Sequence, residues 1–160
     1  MDKITPCLWY DGDAEAAAEF YVSLLPDSRI DRVVRSPADN PSMDKGGVLM
    51  VDFTLAGQKY SALNGGPAFK FTEAVSFIIQ CEDQAEIDRI WDAILENGGQ
   101  PSACGWIKDR WGLAWQVTPT RLLEMIGSDD GAGAERAMKA MMEMVKIDLP
   151  TIEAAYRGEA

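Results

Sequence analysis

Cys104-Gly-Trp-Ile-Lys-Asp-Arg-Trp-Gly-Leu-Ala-Trp-Gln116 is the stretch whose reading decides the fold. Two alternating runs, Gly105-Trp106-Ile107 and Leu113 to Val117, flank the polar, glycine-ended segment Asp109-Arg110-Trp111-Gly112, and this spacing predicts a β-hairpin. The hairpin takes its meaning from what precedes it, because it closes the second copy of an internal repeat.

The first copy opens with a strand predicted from Ile4 to Trp9 and a helix from about Asp13 to Leu25. In that helix Ala14, Ala17, Ala18, Tyr21, Leu24 and Leu25 recur at helical spacing, and Pro26 marks the stop. Strands are predicted for Ile30 to Arg35, Val48 to Leu55 and Lys59 to Leu63, with Ala56-Gly57-Gln58 as the turn between the last two. The unit is therefore βαβββ. A second pass begins with a strand at Val75 to Gln80 and a helix from about Gln84 to Leu95, whose apolar face is Ile87, Ile90, Trp91, Ile94 and Leu95 and whose end is Gly98-Gly99. A short strand around Gln100 to Ala103 and strands at Cys104 to Lys108 and Leu113 to Val117 complete it. Ala14-Glu15 matches Ala85-Glu86 at an offset of 71, and Gly57 matches Gly112 at an offset of 55. The longer polar loop Ser36 to Gly47 of the first copy absorbs the difference.

After the repeats, Ala134, Ala137, Met138, Met141, Met142 and Val145 keep helical spacing, and a last short helix is predicted from about Thr151 to Tyr156. A methionine stripe of this kind is an adaptable apolar face that packs on its own sheet or on a second subunit. The expectation for the whole chain is an α+β fold in one domain, residues 1–160: module one about 3–66, module two about 74–127 and a helical tail about 131–157.

Composition narrows the chemistry. The 160 residues, 47% hydrophobic and 26% charged, suit one globular domain with a real core. No apolar run approaches the ~20 residues that span a bilayer, and Met1-Asp2-Lys3 does not open a signal peptide, so a cytoplasmic protein with no membrane partner is expected. The net charge of −11 disfavours nucleic acid as a partner. Cys7, Cys81 and Cys104 cannot all pair and show no metal-type spacing, so reduced thiols are expected. There is no histidine, which excludes Ser-His-Asp and Cys-His nucleophile activation and imidazole metal sites. No glycine-rich nucleotide loop follows the first strand, so a Rossmann-type S-adenosylmethionine site is not expected.

A βαβββ repeat with these blocks resembles the vicinal oxygen chelate superfamily of glyoxalase I, extradiol dioxygenases and bleomycin-resistance proteins. Within it the chain looks like the PhnB-like branch, often labelled 3-demethylubiquinone-9 3-methyltransferase. The resemblance is carried by Ile4 to Trp9, Ala62-Leu63-Asn64-Gly65-Gly66-Pro67, Phe71 to Phe77, Ile87 to Trp91 and Cys104 to Pro119. It implies two modules with a glyoxalase-type fold, a homodimer, and a cavity where the superfamily binds a divalent metal through His, Gln or Glu on the first and last strands of each module.

Transferred to this chain, those positions are Thr5, Ser61, Ser76 and Gln116. One amide and three hydroxyls are a poor set for repaying the dehydration of a cation, so no metal and no cofactor is expected. Alternation sends Ala114, Gln116 and Thr118 to one face of the last strand and Leu113, Trp115 and Val117 to the other. On the first strand Thr5, Cys7 and Trp9 oppose Ile4, Pro6, Leu8 and Tyr10. Trp9 has two readings, stacking on a planar ligand or packing in a core or interface; Trp106 is a ligand contact near a cavity mouth or a packing residue. Cys104 reads as a small packed residue, Lys108 and Asp109 as solvent-facing turn residues, and Asn64-Gly65-Gly66-Pro67 as a connector. Two functions follow: a protein that binds a small organic molecule without a strong metal site, or an enzyme of the vicinal oxygen chelate type with lyase, isomerase or dioxygenase-like chemistry. Catalytic residues are unassigned, and the methyltransferase label has no motif behind it.

Overall fold

In the computed structural model, which describes residues 2–159, the chain divides after Phe71 into two units. Met1 and Ala160, the ends of the span assigned to one domain, lie outside the described residues. The first unit comprises β1 (Cys7–Tyr10), α1 (Ala14–Leu24), β2 (Arg29–Arg35), β3 (Val48–Leu55) and β4 (Gln58–Asn64). Its sheet has the order β1-β4-β3-β2, with β1 parallel to β4 and the other pairs antiparallel. Alternation builds a helix-facing side. Val33, Val51, Ala62 and Leu8 are directly opposed across the four strands, and Val51, Ala62 and Leu8 are buried with Phe53 and Leu55. Ala14, Ala17, Ala18, Tyr21 and Leu24 form the buried stripe of α1, where the small alanines allow close packing on the sheet. The Tyr21 and Tyr10 hydroxyls meet there at 2.8 Å in the core.

Strand β1 is shorter than the predicted Ile4 to Trp9 because Pro6 has no N–H to give to a ladder. Its carbonyl still accepts from Ser61 N at 2.9 Å, so the parallel pairing starts through Pro6. The connector motif also has local jobs. Asn64 Oδ1 accepts Ala14 N at 2.9 Å and its Nδ2 donates to Val48 O at 2.9 Å, so Asn64 caps α1 in place of Asp13, whose side chain makes no cap. Gly65 lies against the Trp9 ring, and a Cβ there would sit 2.3 Å from it.

The second unit repeats the plan with β5 (Ser76–Cys81), α2 (Gln84–Glu96), β6 (Gln100–Pro101), β7 (Trp106–Lys108) and β8 (Ala114–Pro119), in the order β5-β8-β7-β6. Helix α2 starts at Asp83, whose side chain accepts Glu86 N at 2.9 Å, and buries Ile87, Ile90, Trp91 and Ile94. Ile107, Trp115 and Val117 are buried on alternate positions of β7 and β8. The offsets of the repeat are built into the hydrogen bonding: Cys7 opposes Ser61, and Ile78 opposes Gln116, residues displaced by the same 71 and 55 positions. Strand β6 is two residues long, shorter than Gln100 to Ala103.

Three helices follow: α3 (Thr120–Ile126), α4 (Gly131–Met142) and α5 (Leu149–Tyr156). Helix α3 had no counterpart among the predicted elements, although Leu122 and Met125, buried at helical spacing, carry its signal. The tail packs within its own unit. Gln84 donates through Nε2 to Ile147 O at 2.9 Å and accepts Leu149 N at 2.8 Å, while Met144 and Val145 carbonyls accept Cys104 N and Gly105 N, each at 2.8 Å. Ile147, Leu149 and Ile152 are buried, whereas Met138, Met142 and Val145 stay exposed. Among the described residues no helix is long and apolar enough to cross a membrane.

Asp109 departs from the expected solvent-facing turn. It is 2% exposed; its Oδ1 accepts Trp111 N at 2.9 Å and Leu113 N at 3.1 Å, and its Oδ2 accepts the Trp115 indole N–H at 2.9 Å. A buried carboxylate is tolerated when donors surround it, and here one side chain organises the hairpin turn and anchors the largest core residue of the second sheet. Asp109→Ala strands those donors and is expected to cost about 3 kcal/mol, read as a lowered urea midpoint at unchanged slope.

Candidate functional site

Each sheet has a second side, turned away from its helix, and there the predicted site residues gather. On the first sheet, Arg32, Asp52, Ser61 and Cys7 are opposed in one row across β2, β3, β4 and β1. The next row on the same side, two residues along each strand, is Val34, Met50, Leu63 and Trp9, all half-buried. A polar row thus lies beside an apolar one.

Ser61 Oγ donates to Asp52 Oδ1 at 2.7 Å. Asp31 accepts Thr54 Oγ1 at 2.6 Å and the Arg29 Nε at 2.9 Å. Thr5 and Ser61 come together with Arg32, Asp52, Lys59 and Tyr60 around a cleft of about 330 Å³. Trp9 stands one row away: its indole N–H donates to Gly66 O at 2.8 Å, and Phe69, 67% exposed, meets it edge-on at 4.9 Å. Trp9 therefore walls the apolar row and holds the connector.

On the second sheet Trp106, Gln116 and Ile78 form the equivalent row, with Ile78 51% exposed. Gln116 Nε2 donates to Ser76 Oγ at 2.8 Å. Lys108, opposed to Ala114 on the neighbouring row, is paired with Glu73, which holds the Glu73 carboxyl below its usual range, first through the hydrogen bond. Ser76, Trp106 and Gln116 are thus neighbours on the second sheet, as Thr5 and Ser61 are on the first.

Asp52, Arg32, Lys59, Met50 and Leu63 were not among the predicted site residues. Asp52 had a legible signal: it is a carboxylate inside Val-Leu-Met-Val-Asp-Phe-Thr-Leu, at a position alternating with Val51 and Phe53, which are buried. Arg32 and Lys59 had none, because a cation on a strand edge or beside a turn is ordinary.

The donors do not fit the divalent metal that the fold implies. Ser61 gives its proton to Asp52, and Ser76 and Gln116 are bonded to one another. Hydroxyls and an amide offer a cation little compensation for lost water. Among the described residues no group of three or more Cys, Asp or Glu is arranged to hold a metal ion.

The family model described as 3-demethylubiquinone-9 3-methyltransferase matches residues 2–118. The chain belongs to that family. A PhnB protein from Bacillus cereus, which bears the same methyltransferase description, is 31% identical over 74% of this chain and 100% of its own, with a TM-score of 0.67. A Pseudomonas aeruginosa protein shares the fold at 21% identity and a TM-score of 0.61, covering 74% of this chain and 98% of its own. The fosfomycin resistance protein FosX from Listeria monocytogenes shares it at 13% identity and 0.53, covering 78% and 97%. No curated protein matches the chain in sequence. These likenesses establish the PhnB-like, glyoxalase-type fold, and the family match ends before α3, so the helical tail lies beyond it.

The cysteines are free thiols. Burial pushes the Cys81 thiol up to about 12; burial first, and then the charge of Asp52, raises Cys7 above its ordinary value. Removing a negative neighbour favours the thiolate. In a chain carrying only Cys7, alkylation by iodoacetamide is therefore expected to run faster at pH 8 in Asp52→Asn than with Asp52 present, and its pH–rate midpoint to move down. Superimposable profiles would separate the two side chains.

Proposed function

We propose that this PhnB-like protein binds a small organic molecule on the helix-free sides of its sheets and keeps no tightly held divalent metal. The observation that carries the reading is the state of the superfamily's ligand positions: Ser61 is bonded to Asp52 beside the half-buried apolar row of the first sheet, and Ser76 and Gln116 are bonded to each other beside Trp106 and Ile78 on the second. Such a surface orients a ligand through a few polar groups and gains affinity from apolar contact. The methyltransferase description of the family has no S-adenosylmethionine loop behind it here, since β1 runs into α1 through Asp11-Gly12-Asp13 without a glycine-rich turn.

The protein is read as a cytoplasmic homodimer. The exposed Leu123, Met138, Met142 and Val145 of the tail support a self-association surface. A second reading, an enzyme of the vicinal oxygen chelate type, draws on Asp52, a half-buried carboxylate on the first sheet's helix-free side. Turnover lost in Asp52→Asn with binding retained would favour it.

Native mass spectrometry of protein from its own host, purified without chelator, reads subunit number, metal and ligand together. The expected spectrum is a dimer with a small organic mass and no stoichiometric metal. Gln116→Ala and Ser61→Ala are expected to lower the occupancy of that mass while leaving the fold intact by circular dichroism. Stoichiometric zinc, nickel or iron would sink the metal-free reading, and a bare monomer the dimer.

A further inference from the structure

We infer that the ligand of the first sheet is a small organic acid bearing a hydroxyl or amino group beside its anionic group, with an apolar remainder. This rests on the binding function proposed above and specifies its ligand. The cleft is lined by two cations, Arg32 and Lys59. Among the described residues neither forms an ion pair with a carboxylate. The neighbouring acid Asp31 is already matched, by Arg29 at 2.9 Å and by the Thr54 hydroxyl.

Arg32 is on β2 and Lys59 on β4, with β3 between them. Lys59 is opposed to Thr54, one row from Arg32, which is opposed to Asp52; two strand spacings and two residues along the strand separate them by about 12 Å, a gap that a guanidinium and an ammonium on long flexible stems can close over a single anionic group. A carboxylate or phosphonate there would gain charge-assisted hydrogen bonds, bidentate ones from the arginine.

Asp52 selects further. It is opposed to both Arg32 and Ser61, and its Oδ1 is occupied by the Ser61 hydroxyl while no described residue donates to Oδ2. An anion alone would be repelled by this carboxylate. An acid with a hydroxyl or ammonium next to its anionic group instead offers Asp52 a proton, and the repulsion becomes a hydrogen bond. The apolar row of Val34, Met50, Leu63 and Trp9 begins two residues further along the strands, about 7 Å away. An aryl ring on a 2-hydroxy or 2-amino acid reaches that row with its far edge when the hydroxyl or ammonium sits on Asp52.

The test is isothermal titration of the full chain with 3-phenyllactate, 3-phenylpropionate and methyl 3-phenyllactate, which hold the apolar part constant and remove first the donor and then the charge. Phenyllactate is expected to bind about tenfold or more tightly than either comparison compound, and its affinity to fall as sodium chloride rises. The double variant Arg32→Gln, Lys59→Gln changes only exposed side chains, and it is expected to weaken phenyllactate by about tenfold or more while leaving the ester unchanged. If the ester binds as well as the acid, or the double variant binds the acid unchanged, the anion assignment is overturned and the binding function stands. If phenylpropionate matches phenyllactate, the role of Asp52 is overturned alone. If none of the three binds, the ligand class is overturned, while the binding function is decided by the native mass spectrum.

Discussion

Everything in this fold depends on one pairing made twice: the first strand of each βαβββ unit runs parallel to the last. β1 beside β4 and β5 beside β8 are joined through an α-helix and two further strands. A parallel pair needs such a crossover, and the crossover puts the helix on one side of the sheet. The other side is then available for chemistry in both units. The same pairing sets the register that makes Cys7 answer Ser61 and Ile78 answer Gln116, so the positions compared across the repeat are equivalent in hydrogen bonding as well as in sequence.

On that shared frame the two units have diverged. The first carries a charged row, Arg32-Asp52-Ser61-Cys7, where the second carries Trp106-Gln116-Ile78. Neither offers the cluster of good donors that a divalent cation requires. Two buried polar groups serve the frame. Asp109 gathers three N–H donors at the second hairpin, and Asn64 caps α1 across the sheet edge. Both are satisfied, and satisfied polar groups in a core fix geometry.

Periodicity made much of this legible. The apolar stripes of α1 and α2, the alternation of β3, β4 and β8 and the offsets of the repeat are local patterns, and the elements stand where those patterns place them to within a few residues. Thr5, Ser61, Ser76 and Gln116 were singled out by the superfamily resemblance, and the pairing of first with last strand sets Ser61 opposite Cys7 and Gln116 opposite Ile78. The misses were of another kind. Pro6 shortens β1 through a missing N–H; α3 is too short for its two buried residues to outweigh a strand pattern running into it; Asp109 looks like a turn residue until Trp115 folds over it.

By itself the sequence determined the architecture, two βαβββ units and a helical tail, because hydrophobic period and turn chemistry act over a few residues and are written in the chain order. It also removed histidine chemistry outright. Only the tertiary structure decided which polar side chains are spent and which remain open. Ser61 is taken by Asp52, Gln116 by Ser76 and Asp31 by Arg29, while Arg32 and Lys59 line the same cleft and form no ion pair among the described residues. The Ser61–Asp52 and Gln116–Ser76 bonds cross from strand to strand, the second between residues 40 positions apart, and a hydrogen bond depends on distances that only the assembled sheets supply.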